Sequence, residues 1–140
     1  EDIPEEEMVR LHWWGAAHDK PKVGTFMVRI KVAGGLVTPA QLRGLGRIVE
    51  VHARDEVELT TRQGAQLHWV PMAGLASVIE EVEALGLTTV GAEGDTVRNI
   101  TSCPVAGLAP DEAFDVSPVI RQVADFFDGN AAYSNLPRKH

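Results

Sequence analysis

Residues 24–35 read GTFMVRIKVAGG, and this stretch decides the fold class. Its apolar side chains occupy every second position, and Met27, Arg29 and Lys31 lie between them. The apolar positions are Phe26, Val28, Ile30 and Val32. Period-two alternation followed by a Gly-Gly pair is typical of a strand that buries one face and then turns. We therefore expect the first strand of a half-buried sheet here.

Two stretches after this strand have the spacing of helices. Residues 38–53 begin with Thr38 as a possible N-cap and Pro39 at the first helical position, and apolar residues then recur every three or four positions. Residues 71–86 show the same spacing and end at Gly86, a common helix terminator. Each stretch predicts a helix with one apolar face.

Three more strands complete the expected order. Residues 56–63 and 65–70 alternate on either side of Gly64, which favours a hairpin or a tightly bent strand pair. We place the last strand at about 97–103. The resulting βαββαβ order suits a split βαβ sheet with both helices on one face, which is the ferredoxin-like arrangement of an α+β fold. We expect it to occupy residues 22–103.

Composition excludes several functional classes. The net charge of -7 argues against a general nucleic-acid binder, because such proteins neutralise phosphates with clustered cations. No apolar run approaches the roughly 20 residues that cross a bilayer, so we expect no membrane association. The one cysteine, Cys103, cannot form an internal disulfide, which favours a reducing cytoplasmic location. Residues 1–21 begin with an acidic run and are interpreted as a solvated lead-in segment.

Four motifs in order resemble one known family. They are FMVRIKVAGGLVTPAQLRGLGRIV at 26–49, ELTTRQGAQLHWV at 58–70, GDTVRNITSCPVAG at 94–107 and FFDGNAAYSNLPRKH at 126–140. Together they resemble the amino-terminal half of sirohaem-dependent nitrite and sulfite reductases. The resemblance runs from about residue 10 to residue 140.

The resemblance implies a six-electron reduction of nitrite to ammonia or of sulfite to sulfide. The reaction would take place at a sirohaem bridged to a [4Fe-4S] cluster, with electrons from ferredoxin or a flavoprotein. By motif position, Arg62, Arg98 and Lys139 resemble the catalytic residues that reach toward the anion. Cofactor-binding residues would include these three, together with the neighbouring Gln63, Asn99 and Arg138.

The implied residue types suit the implied ligands. Sirohaem is rich in carboxylates and its substrate is an oxyanion, so the pocket needs fixed cations and hydrogen-bond donors. Arginine can bond two oxygens at once, and lysine can also deliver protons. Taken without the motifs, Arg62 and Arg98 would most often be surface residues at strand ends. His68 is interpreted as a hydrogen-bonded histidine on a sheet face, and the sequence predicts no metal site of protein ligands.

The cluster cannot be held by this sequence alone. A [4Fe-4S] site needs four thiolates, and we expect Cys103 to be a small buried residue near the haem face instead. Residues 104–140 are interpreted as the start of a second α/β domain that is truncated at His140. A helix across 115–130, beginning with Ser117, would need the missing remainder of the enzyme to cover its apolar face. These 140 residues alone are expected to be inactive.

Two other functions stay open at this point. Precorrin-3B synthase, a cobalamin-pathway enzyme, resembles these reductases and shares parts of the same motifs. A non-catalytic ferredoxin-like module that binds a protein partner is the second alternative. Within the reductase reading, LTTRQGAQLHWV at 59–70 favours the nitrite branch slightly, and the sequence does not decide between nitrite and sulfite.

Overall fold

The structure is a computed structural model that describes residues 3–21 and 23–140. Its helices are α1 (Glu5–Trp13), α2 (Pro39–His52), α3 (Leu75–Ala84) and α4 (Ser117–Phe127), and its strands are β1 (Ala16–His18), β2 (Thr25–Ile30), β3 (Val57–Leu59) and β4 (Ala65–Pro71). Short 3-10 turns lie at Ala33–Gly35, Met72–Gly74 and Ala131–Tyr133. Among the described residues, no helix is long and apolar enough to cross a membrane.

The four strands form one antiparallel sheet in the order β1-β2-β4-β3. The predicted alternation of β2 is confirmed, because Phe26, Val28 and Ile30 are buried while the residues between them are partly exposed. Helices α2 and α3 cover the buried face. This mixture of helices and antiparallel sheet confirms the α+β class, and the order of β2, α2, β3, β4 and α3 is that of a ferredoxin-like half domain.

One apolar cluster joins the sheet to the helices. Leu67 lies at its centre on β4, where it is 0% exposed and pairs in register with Val28 of β2 and Val57 of β3. The helices contribute Leu45, Ile48, Val49, Leu75, Val78 and Val82. Burying a side chain of this size contributes about 1.5 to 3 kcal/mol. The cluster therefore stabilises the sheet against α2 and α3, and the polar side chains of β2 lie on the opposite face of that sheet.

The predicted strand at 97–103 is wrong. In the structure this segment is irregular, and its main-chain groups bond to turns and side chains: the Gly34 amide donates to the Ile100 carbonyl, and the Ser102 amide donates to the Gln63 side chain. The edge of β2 that faces away from β4 is paired with β1. Just after β2, the chain is paired again by an isolated bridge between Lys31 and Thr88. Because a strand edge can be paired only once, residues 97–103 have no place in the sheet.

The first described residues form structure that the sequence analysis did not predict. Residues 1–21 were interpreted as a lead-in segment, but α1 and β1 lie within it. Ile3, Met8 and Leu11 pack against the core cluster, and Ala16 of β1 is 0% exposed. This segment therefore supplies the edge strand that we had assigned to the other end of the half domain.

A β-bulge shifts the inward-facing positions of β4. Phe26 pairs with Val70 and Val28 pairs with Leu67, so β4 has one residue more than β2 over this interval. Trp69 takes the positive φ of 64° that the bulge requires. Its amide donates to the buried Asp19 carboxylate at 2.8 Å, which holds this unusual backbone. Val70 therefore enters the core in place of Trp69.

The amino terminus of α2 has the predicted cap in its full form. The Thr38 hydroxyl accepts a hydrogen bond from the Gln41 amide at 3.1 Å, and the Gln41 side chain accepts one from the Thr38 amide at 2.9 Å. This reciprocal pair is a capping box, and Pro39 occupies the first turn. The cap starts the helix where the sequence predicted it.

Replacing Thr38 with Ala is expected to lower the free energy of unfolding by about 1 kcal/mol, because the Gln41 amide loses the hydroxyl that accepts its hydrogen bond at the helix start. Urea unfolding followed by circular dichroism measures this change. Thr38→Ser, which keeps the hydroxyl, is the control and should stay within about 0.5 kcal/mol of the wild type. A Thr38→Ala variant as stable as Thr38→Ser would contradict the role of the capping box.

Candidate functional site

An open cavity of about 490 Å³ lies beside the polar ends of β2 and the β3–β4 turn. Three segments form its wall: residues 29–31 of β2 and its continuation, residues 60–66 around the turn, and residues 92–101. Four cationic side chains line it, and they are Arg29, Lys31, Arg62 and Arg98. No carboxylate is among the lining residues in the described part of the chain. We call it the cation-lined cavity.

Arg98 is buried and held on three sides. Its guanidinium donates from Nε to the Gly94 carbonyl at 3.0 Å, from Nη1 to the Ala92 carbonyl at 2.8 Å and from Nη2 to Glu93 Oε1 at 3.2 Å. An arginine carries five N–H donors, so two of them have no acceptor among the described residues. The residue is therefore fixed in place before any ligand arrives.

Glu93 pairs with two arginines at once. Its other oxygen, Oε2, lies 2.6 Å from Nη1 of Arg29, which makes an Arg-Glu-Arg triad with Arg98. Burial lowers the pKa of the Arg98 guanidinium, and the positive charges of Arg29 and Arg62 lower it further, while Glu93 opposes the shift. The negative charge of an anion bound in the cavity would raise the pKa of Arg98, as Glu93 does. The same interaction means that the cavity favours the binding of a negatively charged ligand.

Arg62 is the exposed member of the set and lies on the turn between β3 and β4. Among the described residues, no carboxylate oxygen lies within 4.0 Å of its guanidinium, whereas the other three cations each have an acidic partner. Gly64 closes this turn beneath it, and a Cβ there would lie 2.7 Å from the Ile30 carbonyl. The close approach of the turn to β2 therefore requires glycine at this position.

The carboxamides of Asn99 and Gln63 hold the three segments together. Asn99 accepts from the Val32 amide at 2.9 Å and donates to the carbonyls of Val32 and Arg62 at 2.8 Å each. Gln63 exchanges two hydrogen bonds with the main chain of Ser102, at 2.8 and 2.9 Å. Both Asn99 amide hydrogens are therefore used within the protein, and both residues position the arginines beside them.

Arg138 and Lys139 are exposed and, in the described part of the chain, are not among the residues that line the cavity. Their segment nevertheless runs beside Arg98. The His140 amide donates to the Thr96 carbonyl at 3.0 Å, and the Arg98 amide donates to the His140 carbonyl at 2.7 Å. The structure thus brings Arg62, Arg98 and Asn99 to one cavity, and Arg138 and Lys139 lie outside its lining.

Sequence reasoning missed Arg29 and Lys31 as site residues. Both occupy the polar positions of the β2 alternation, which were interpreted only as the solvent face of a strand. Lys31 is 7% exposed, which is unusual for a lysine. The sequence did carry one indication of this site: two cations two positions apart on a strand project to the same side of the sheet and can act together on one ligand.

Two further sequence interpretations have clear outcomes. His68 is a hydrogen-bonded histidine, as predicted, with Nδ1 2.7 Å from Asp19 and Nε2 3.3 Å from Glu58. The prediction that Cys103 is buried is wrong, because the structure shows a free, exposed cysteine on a turn-rich loop that no strand covers. Nowhere in residues 3–21 or 23–140 do three or more His, Cys, Asp or Glu side chains group as they would around a metal ion.

The residues present fit one of the two implied cofactors. Four cations and the free donors of Arg98 suit a carboxylate-rich macrocycle or an oxyanion, because fixed cations and N–H groups bind carboxylate oxygens. The [4Fe-4S] cluster does not fit this chain by itself, since it needs four thiolates and the sequence has one cysteine. Ligands for such a cluster would have to come from outside these 140 residues.

Comparison with known proteins gives two family matches along the chain. A family described as the nitrite/sulfite reductase ferredoxin-like half domain matches residues 18–85. A second family, described as the nitrite and sulphite reductase 4Fe-4S domain, matches residues 93–140. The cation-lined cavity takes residues from both matched segments. The boundary between the matches lies at 86–92, whereas the sequence analysis placed the domain division after residue 103.

Several curated proteins are similar to nearly the whole chain. The ferredoxin--nitrite reductase of Leptolyngbya laminosa is 36% identical over 93% of this chain. The assimilatory ferredoxin-dependent nitrite reductase of Haloferax mediterranei is 34% identical over 99% of it. Sulfite reductase [ferredoxin] 1 of Mycolicibacterium paratuberculosis is 35% identical over 87% of it. The chain covers only 26%, 26% and 22% of these proteins, respectively.

Two solved structures are similar to the chain. The NirA protein of Mycobacterium tuberculosis superposes with a TM-score of 0.90 at 29% identity, over 99% of this chain and 28% of that one. Dissimilatory sulfite reductase I superposes with a TM-score of 0.67 at 14% identity, over 82% of this chain and 27% of that one, which shows a shared fold.

Proposed function

Because the chain belongs to the nitrite and sulfite reductase family, we propose that it forms part of a sirohaem-dependent reductase that converts nitrite to ammonia or sulfite to sulfide. The observation that carries this proposal is the cation-lined cavity, which has four cations and no lining carboxylate among the described residues. The chain covers about a quarter of the relatives' length, 26% of the first, so the activity belongs to the complete protein.

The arginines would hold the anion and the acidic edges of the cofactor. The Arg62 guanidinium has no carboxylate partner among the described residues, and Arg98 keeps two donors after its three internal hydrogen bonds. Their positive charge stabilises the negative charge on the substrate oxygens, and the buried, fixed position of Arg98 avoids a reorganisation cost. Lys139, whose neighbour His140 bonds to the main chain of Arg98, is proposed to deliver protons as the bonds to oxygen break.

The cofactors are assigned to the complete enzyme. Bound sirohaem would supply the electrons that reduce the anion, and Arg62, Arg98, Gln63, Asn99, Arg138 and Lys139 are the proposed residues around it. In this chain, Gln63 and Asn99 would act mainly through the main-chain hydrogen bonds that fix the cavity wall. The [4Fe-4S] cluster would be held by cysteines from the rest of the protein.

Ferredoxin is the proposed electron donor, because it appears in the names of nitrite and sulfite reductase relatives alike. Those names also include both substrates, and we place nitrite slightly ahead because the motif LTTRQGAQLHWV at 59–70 favours the nitrite branch. A cytoplasmic location is proposed from the single cysteine, which is free and exposed.

The proposed function is tested by assaying the complete protein with reduced viologen as donor. We expect ammonia from nitrite, sulfide from sulfite, or both, with turnover that requires sirohaem. The control is the same protein prepared without sirohaem, which should make neither product. A complete protein that binds sirohaem yet forms neither ammonia nor sulfide would contradict the proposal. Turnover of a precorrin in its place would favour the cobalamin-pathway alternative.

A further inference from the structure

The Lys31 side chain stands between two cavities. It lines the cation-lined cavity and also a second cavity of about 640 Å³, which lies between the start of α2 and the end of α4. We call the second one the helix cavity. Lys31 is 7% exposed and belongs to the walls of both cavities.

An acidic residue neutralises Lys31 from the side of the helix cavity. The Lys31 Nζ lies 2.7 Å from Oδ1 of Asp128, which directly follows α4. Asp128 lines the helix cavity and is not among the residues that line the cation-lined cavity. The Asp128 carboxylate thus contacts Lys31 from the helix cavity and does not line the cation-lined cavity.

The position of the ammonium is tightly built. A Cβ at Gly91 would lie 3.3 Å from the Lys31 Nζ, at a backbone φ of +68° that favours glycine. The Lys31 amide also donates to the Thr88 carbonyl at 2.8 Å, which holds the strand end that carries it. Lys31 therefore has little freedom to turn away from Asp128.

We propose that Asp128 sets the charge that Lys31 presents to the cation-lined cavity, and so tunes the discrimination between doubly and singly charged oxyanions. The inference rests on the proposed function, because it concerns the same anion site. Coulomb attraction grows with the charge of the ligand, so one extra positive charge helps a dianion more than a monoanion. With Asp128 in place, the pair is nearly neutral and this advantage is suppressed.

The remaining charges around the site do not cancel this effect. Glu93 is shared by Arg29 and Arg98, and Arg62 has no acidic partner among the described residues. With Asp128 counted, four cations face two carboxylates. Removing the Asp128 charge raises the formal excess from two positive charges to three. Asp128 thus controls the one lysine in a set otherwise made of arginines.

The test uses Asp128→Asn in the complete protein, without an electron donor. Calorimetry measures the dissociation constants of sulfate, a dianion, and nitrate, a monoanion, at one pH near 8. We expect the preference for sulfate over nitrate to rise about 3- to 10-fold. Asp125→Asn is the matched control, because Asp125 lies on α4 three positions before Asp128, lines the helix cavity and has no carboxylate oxygen within 4.0 Å of Lys31 in the described structure. It should leave the preference within about twofold.

The double variant that combines Lys31→Met with Asp128→Asn also removes the lysine whose charge Asp128→Asn leaves without a carboxylate partner. It also avoids a buried unpaired charge, so it guards against a folding defect. Its preference should return to within about twofold of the wild type. In turnover assays, Asp128→Asn alone should lower the KM for sulfite more than the KM for nitrite.

Two results would overturn the inference and leave the proposed function standing. A folded Asp128→Asn protein with an unchanged preference would show that the carboxylate does not tune the site. A double variant that keeps the full shift would show that the effect does not pass through Lys31. A wild-type protein that binds neither anion and reduces neither substrate would overturn the proposed function, and the inference with it.

Discussion

Replacing Arg62 with Ala in the complete protein is expected to lower kcat for anion reduction about 100-fold, with a much smaller loss of bound sirohaem. Arg62 is the cation in the cavity lining that no described carboxylate neutralises, so its full charge is available to the anion. Removing a preorganised charge from a site where negative charge must be stabilised costs this order of rate.

The measurement is viologen-driven turnover, with sirohaem content read from the absorption spectrum of each preparation. Arg47→Ala is the matched control, because Arg47 is an exposed arginine of α2 that lines neither cavity. It should keep kcat within about twofold of the wild type. If Arg62→Ala lost sirohaem in proportion to activity, Arg62 would be a residue that holds the cofactor, and its proposed role toward the anion would be wrong.

Replacing Leu67 with Ala is expected to lower the free energy of unfolding by about 2 to 5 kcal/mol. Leu67 is 0% exposed on β4 and is paired to strands on both sides, so truncation leaves a cavity that the sheet cannot close. This loss is a large part of the total stability of a domain of this size. It would also loosen the start of β4, where the neighbouring Ala65 and Gln66 line the cation-lined cavity.

Urea unfolding of the 140-residue chain, followed by circular dichroism, measures the change. Leu59→Ala is the control, because Leu59 lies on the neighbouring strand and is 78% exposed. Its effect should stay within about 0.5 kcal/mol. Equal destabilisation by the two substitutions would mean that Leu67 is not at the centre of the core.

Elements whose signals are local were predicted well. The β2 alternation depends on neighbouring residues, and the Thr38 cap depends on Gln41 three positions away. The strand β4, the helix α3 and the start of α4 at Ser117 were also placed close to their observed bounds. The strand predicted at 56–63 is shorter in the structure, because β3 ends at Leu59 and residues 60–63 form the turn before β4. The strand predicted at 97–103 failed because local β propensity cannot tell whether a sheet edge is free. In this fold, β1 and Thr88 already occupy that edge.

The candidate site was predicted in part. Arg62, Arg98 and Asn99 were named from motifs, and the structure brings all three to one cavity. Arg29 and Lys31 were taken for the exposed face of a strand, since their burial depends on segments far away in the sequence. The catalytic and cofactor roles assigned to these residues are still predictions.

The sequence by itself determined the α+β class, the central strand β2, the capped helix α2 and the family resemblance. These features follow from periodicity, capping and motif order, which a chain carries before it folds. Only the tertiary structure decided which segment covers the edge of β2, that a bulge turns Val70 inward in place of Trp69, and that Glu93 is shared by two arginines. It also decided that Lys31 meets Asp128, which is 97 positions away in the sequence. Such pairings depend on how distant segments close on one another, and no local pattern of residues encodes that closure.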